Sequence, residues 1–85
     1  MVSEKRQKEI NDIAIKAARC FIPEETDWEE RIEAIRDAWH AIVDFKKTAT
    51  DEERNLIDER TRVENVSMAY DGAVFFGLID KEDGY

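Results

Sequence analysis

Trp28, Ile32, Ile35, Trp39 and Ile42, at spacings of 4, 3, 4 and 3, constrain this chain more than any other feature. At about 100° per residue, an α-helix gathers all five into one apolar stripe. On a strand the same residues would scatter over both faces. Thr26-Asp27-Trp28-Glu29 immediately precedes the stripe. The Thr26 hydroxyl and the Glu29 carboxylate can each accept the other's free backbone N–H, closing a capping box at the helix start. The alternation lasts only about two heptads, so it reads as a side facing a bundle core and not as a long coiled coil.

The rest of the chain follows the same period. Ile10, Ile13, Ala14, Ala17 and Phe21 recur among charged residues, with Ser3 able to cap the segment and Pro23 able to end it. A second capping box, Thr50-Asp51-Glu52-Glu53, opens a helix that turns Leu56, Ile57, Val63 and Val66 or Tyr70 inward. Asp71-Gly72 reads as its stop, and the apolar run Ala73 to Ile79 as a short further helix. With three Gly, one Pro and no repeat in 85 residues, neither a β-sandwich nor a disordered linker is indicated. The expectation is one all-α domain over 1–80, an antiparallel three-helix bundle with a short fourth helical element. Its helices run at about 3–21, 26–47, 50–70 and 73–79, and a frayed acidic tail follows at 81–85. A chain this small buries only roughly 60–65% of its unfolded surface, which favours self-association, possible here as a homodimer.

Charge narrows the function. Through Ile22 the segment carries five bases and three acids, and the remainder eight bases and eighteen acids, giving the net −8. An acidic body with a basic first helix repels nucleic acid and anionic membrane and favours a protein partner with a basic surface. Lys5, Arg6, Lys8, Lys16 and Arg19 lack interleaved aromatic side chains, a poor footprint for direct nucleic-acid binding. No apolar run is long enough to span a membrane, and the lone Cys20 reads as a buried thiol, so a cytoplasmic location is expected.

Two surfaces are candidates for docking. Glu24, Glu25, Asp27, Glu29 and Glu30 cluster at one helix start, Asp51, Glu52 and Glu53 at another, and Asp37, Asp58 and Glu59 add to them. Acids there complement the helix dipole, and they could also imitate a phosphate backbone. Interleaved arginines, Arg31, Arg36, Arg54, Arg60 and Arg62, neutralise part of that charge. Phe75, Phe76, Leu78 and Ile79 form a possible apolar interface, because aromatic anchors dominate protein recognition.

Chemistry finds less material. Glu33, Asp37 and His40 contain the Asp-x-x-His spacing of helical carboxylate metal sites, but His40 is the single histidine and falls on the polar side of its helix, which reads as a solvated position. Glu29-Glu30-x-x-Glu33, with Asn55-x-x-Asp58 on the next helix, resembles the EExxE and ExxD signature of the all-α nucleoside triphosphate pyrophosphohydrolases, with Asn55 standing where that family has glutamate. The resemblance implies carboxylates that hold magnesium against substrate phosphates. No phosphate loop, dinucleotide fingerprint, zinc spacing or nucleophile–base set occurs. The residues favour a small non-catalytic, cofactor-free module that docks on a larger protein, one that is basic or handles nucleic acid, and modulates or inhibits it. In composition it is like small accessory proteins of phages and mobile elements. The alternatives are a homo-oligomeric structural or regulatory bundle and the magnesium-dependent pyrophosphohydrolase.

Overall fold

Four α-helices account for the fold: α1 (Glu4–Arg19), α2 (Trp28–Lys47), α3 (Asp51–Thr61) and α4 (Val63–Phe75). The structure, a computed structural model, describes residues 1–21, 27–82 and 84–85, and it is an all-α bundle with no strand among them.

The capping signals decide where helices begin. Ser3 accepts the Arg6 N–H at 3.2 Å and starts α1. At α3 the expected box is closed on both sides: the Thr50 hydroxyl accepts the Glu53 N–H at 3.2 Å, and the Glu53 carboxylate accepts the Thr50 N–H at 2.8 Å. The proposed stop at Pro23 and the Thr26 half of the first box lie outside the described residues. Asp27 occupies the N-cap of α2 without a side-chain capping bond.

Two boundaries differ from the sequence reading. The single helix expected over 50–70 is divided at Arg62, which adopts the left-handed conformation at φ 51° and ψ 59°. Just before the bend, the buried Thr61 hydroxyl turns back to donate to the Ile57 carbonyl at 2.6 Å. α4 then runs straight through Asp71-Gly72, and no separate helix forms at 73–79. The stop comes at Gly77 (φ 74°), where Leu78 N–H donates to Ala73 O at 2.8 Å and Gly77 N–H to Val74 O at 3.0 Å. This is a Schellman turn, which needs a left-handed residue just beyond the helix end. Gly77 occupies that position, whereas Gly72 is merely a helix-interior glycine, tolerated at a cost of about 1 kcal/mol.

Contacts at the helix ends set their directions. The Arg6 guanidinium lies 4.1 Å over the Phe45 ring, and at the other end Cys20 Sγ donates to the Ala34 carbonyl at 3.3 Å, so α1 and α2 run antiparallel. Arg6 with Glu53 and Asn11 with Arg60 hold α3 in the same direction as α1. Trp39 stacks on Tyr70 with centroids 5.7 Å apart, bringing α4 across α2. Between them lie Ile10, Ala17, Cys20, Ile35, Ala38, Ile42, Phe45, Ile57, Val66, Tyr70 and Ala73, all buried. The Cα envelope is a slab of 39 × 30 × 16 Å. So thin a body has too little interior for its aromatic side chains. Phe21 stays exposed, and Trp28, the first member of the α2 stripe, is 60% exposed; Cys20, at the end of α1, meets α2 at Arg31 and Ala34, past the first turn. Ala38 and Phe45 complete the core face of α2 in its place.

The tail is docked rather than frayed. The Trp39 indole donates to the Tyr85 carbonyl at 3.1 Å, and the Tyr85 hydroxyl donates to Asp44 at 2.8 Å. Ile79, just after the turn, is buried, and its N–H donates to the Ala73 carbonyl at 3.3 Å.

Candidate protein-docking surface

The acids singled out in the sequence do not form one patch. Asp27, Glu29 and Glu30 are exposed at the start of α2, while Asp51 and Glu52 are exposed in the first turn of α3, near the far end of α2. α2 has 20 residues, so about 30 Å separates the two groups along its axis. Asp37 is exposed midway, 3.6 Å from Arg36, and Glu59 is exposed on α3. Glu24 and Glu25 lie outside the described residues.

Two of these acids are used internally. Glu53 is 8% exposed; besides closing the capping box, it accepts from Arg6 Nε at 2.9 Å. The Thr50 amide, and after it the Arg6 guanidinium, hold its carboxyl below the ordinary carboxylate range. The same hydrogen bond to Glu53 raises Arg6. Asp58 is half-buried and ion-paired with Lys46 at 2.5 Å. Glu53 and Asp58 therefore drop out as partner-binding residues: their carboxylates join α1, α2 and α3.

The apolar candidates separate in the same way. Ile79 is 6% exposed and belongs to the core, which corrects its assignment to an interface. Phe75 and Phe76 are 83% and 75% exposed, packed edge to face at 5.2 Å. Phe76 and Leu78 meet Trp28 across a groove, and Ile32, Ile35, Ala69, Gly72 and Ala73 form the rest of its lining. This trench has a volume of about 210 Å³, and its lining is almost wholly apolar. The Schellman turn creates it: after Gly77 the chain reverses and sets Leu78 opposite the first turns of α2. Adjoining hollows share Ile32 and Leu78 and are bordered by Glu29, Glu33, Arg36, Asp80 and Glu82. An apolar floor and a mostly acidic rim thus lie together. Sequence reasoning found Phe76 and Leu78 but assigned Trp28 and Ile32 to the core.

A larger hollow of about 550 Å³ lies between α1 and the α3–α4 bend, lined by Ala14, Ala17, Phe21, Arg60, Arg62 and Asn65 among others. It offers one aromatic side chain, and Arg60 there is already held by Asn11.

The chemical candidates are dispersed. His40 is half-buried rather than fully solvated: its ring stacks on Tyr85 at 3.9 Å and meets the edge of Tyr70 at 6.2 Å. The helical wheel had placed it correctly, but the returning tail covers that side. Among the described residues, no three His, Cys, Asp or Glu side chains are grouped to hold a metal ion, Glu33, Asp37 and His40 included. Asp58 pairs with Lys46, which lies 13 residues, about 20 Å, along α2 from Glu33, so the two halves of the pyrophosphohydrolase-like pattern do not face a common site. Cys20 is buried, as expected, and burial pushes its thiol up, away from the reactive thiolate. No described helix is long and apolar enough to cross a membrane. Comparison with models of known families, with curated proteins and with solved structures finds no match to this chain.

Proposed function

We propose that this chain is a non-catalytic docking module that binds a larger protein through an acidic, partly apolar surface and thereby modulates or inhibits it. The observation that carries the reading is the coincidence of exposed large apolar side chains, Trp28, Phe76 and Leu78, with the acids Glu29, Glu33, Asp80 and Glu82. Isolated exposed apolar residues are ordinary on any surface; a contiguous apolar groove with a charged rim is the arrangement of protein-binding sites. The net charge of −8 adds long-range attraction to basic surfaces. A partner that is basic because it handles nucleic acid fits this charge, as does the small-accessory-protein composition. Retention of a protein by the tagged chain from a nuclease-treated lysate, lost on a high-salt wash, is the expected result. Retention indifferent to salt and to lysine replacement of Glu29, Glu30 and Glu33 contradicts the reading.

The second reading is a homo-oligomer, favoured by the exposure of Phe75. It requires a light-scattering mass above the monomer that Phe75→Asp returns to the monomer with helicity intact.

A further inference from the structure

We infer that the trench between the first turns of α2 and the last turn of α4 is a seat for a basic amphipathic helix of a partner protein. This rests on the docking reading above and names the place and the chemistry of its occupant.

Charge complementarity identifies the occupant. The trench itself has no charged lining; of the five charged side chains that border the two hollows adjoining it, Glu29, Glu33, Asp80 and Glu82 are acids, and the fifth, Arg36, lies 3.6 Å from Asp37. Lysines or arginines flanking an apolar stripe would meet this rim with opposite charge. A second copy placed groove to groove would set acid against acid, with each chain carrying −8.

Backbone chemistry selects a helix over an extended segment. An extended peptide gains affinity by adding to a sheet edge, and no strand exists among the described residues to receive it. A helix satisfies its own amides and presents only side chains. The groove floor extends from Trp28 to Ile35, about 10 Å along α2, which matches two turns of a docked helix and anchors at i, i+3 or i+4, and i+7. Its volume of about 210 Å³ is the scale of a large apolar side chain, so a single leucine or aromatic anchor between Trp28 and Phe76 would carry most of the affinity.

The test uses the full chain and a synthetic leucine–lysine peptide of about 14 residues, near the length at which an isolated helix is sustained. Binding is followed by titration calorimetry and by tryptophan emission, which moves to shorter wavelength as Trp28 loses water. Replacing the peptide's leucines by alanine at unchanged charge is expected to weaken binding on the order of tenfold or more. Trp28→Ala and Phe76→Ser, on exposed side chains at the start of α2 and just past the end of α4, are each expected to do the same with helicity unchanged. Glu33→Lys with Asp80→Lys should weaken binding and flatten its salt dependence, while Glu52→Lys with Glu59→Lys should change it less than about twofold.

Equal binding of the leucine and alanine peptides, or equal damage from the Glu52 and Glu59 replacements, overturns the inference while leaving acidic docking at another surface intact. A chain that retains a protein from lysate with undiminished affinity after Trp28→Ala and Phe76→Ser separates the two in the same way. A dimer in light scattering that Phe76→Ser dissolves assigns the trench to a second copy and also overturns it.

Discussion

Arg62 is the one non-glycine residue described with positive φ, and it bears the bend between α3 and α4. For an L-residue with a Cβ the left-handed region costs roughly 1–2 kcal/mol, and glycine occupies it freely. Arg62→Gly is therefore expected to raise stability by about 0.5–1 kcal/mol, read as a higher denaturation midpoint at unchanged slope. A loss of stability would show that the arginine side chain, and not the backbone, holds the bend. Nothing about Arg62 signals this geometry in the sequence, since arginine has no preference for it. Cys20 is the opposite case: its burial followed from its place at the end of an apolar face, and the Ala34 carbonyl gives its thiol an acceptor.

At the scale of elements, α1 and α3 were legible from side-chain caps at their starts, and α2 from its apolar stripe, since its N-cap Asp27 makes no side-chain capping bond. Thr50 with Glu53 announced α3 in the sequence, and both bonds form. Thr50→Ala removes one of them and exposes an unpaired amide at the helix start, an expected loss of about 1 kcal/mol in chemical denaturation. A change near zero would mean that water replaces the cap without cost. Helix ends were less legible, because Gly72 and Gly77 look alike in sequence and only the backbone conformation at Gly77 distinguishes the stop.

The C-terminal return was not legible at all, since it depends on partners more than 40 positions away: Tyr85 on Asp44 and on Trp39. Its pH limits follow from its groups. Asp44 is held below its ordinary value of 3.8, first by the Tyr85 hydroxyl and then by Lys47, so its contribution is fully present above that value and is lost as pH falls through its lower folded value. Tyr85 is raised above 10.0, chiefly by its bond to Asp44, so its contribution is fully present below pH 10.0 and disappears as pH rises through its folded value. Trp39 emission should therefore shift on both acid and alkaline titration, and Tyr85→Phe should abolish the alkaline step. An alkaline step unchanged in that variant would contradict the tail contact.

For the whole molecule, the all-α class and the acidic body were readable from period and composition, because both are sums over many residues. The proposed docking surface was only half readable. Phe76 and Leu78 stood out as surplus, but Trp28 and Ile32 belong to a regular stripe, and only the antiparallel crossing of α4 over α2 turns the end of that stripe into a groove wall. The slab shape, 16 Å in its thin dimension, accounts for the surplus: a body so thin encloses Phe45 and Tyr70 but leaves Phe21, Trp28, Phe75 and Phe76 exposed. The acids divided likewise: Glu53 and Asp58 are taken up in contacts between helices, Glu29 borders the groove region, and Asp37, Asp51, Glu52 and Glu59 are exposed elsewhere.

The most direct measurement is the affinity of the purified chain for the protein it retains from lysate, at low and at high salt, for the wild type and for the combined Glu29→Lys, Glu33→Lys and Asp80→Lys variant. Affinity that falls steeply with salt in the wild type, and that is lost in the variant at unchanged helicity, is the predicted result. Binding indifferent both to salt and to these reversals would contradict an acidic docking surface on this molecule.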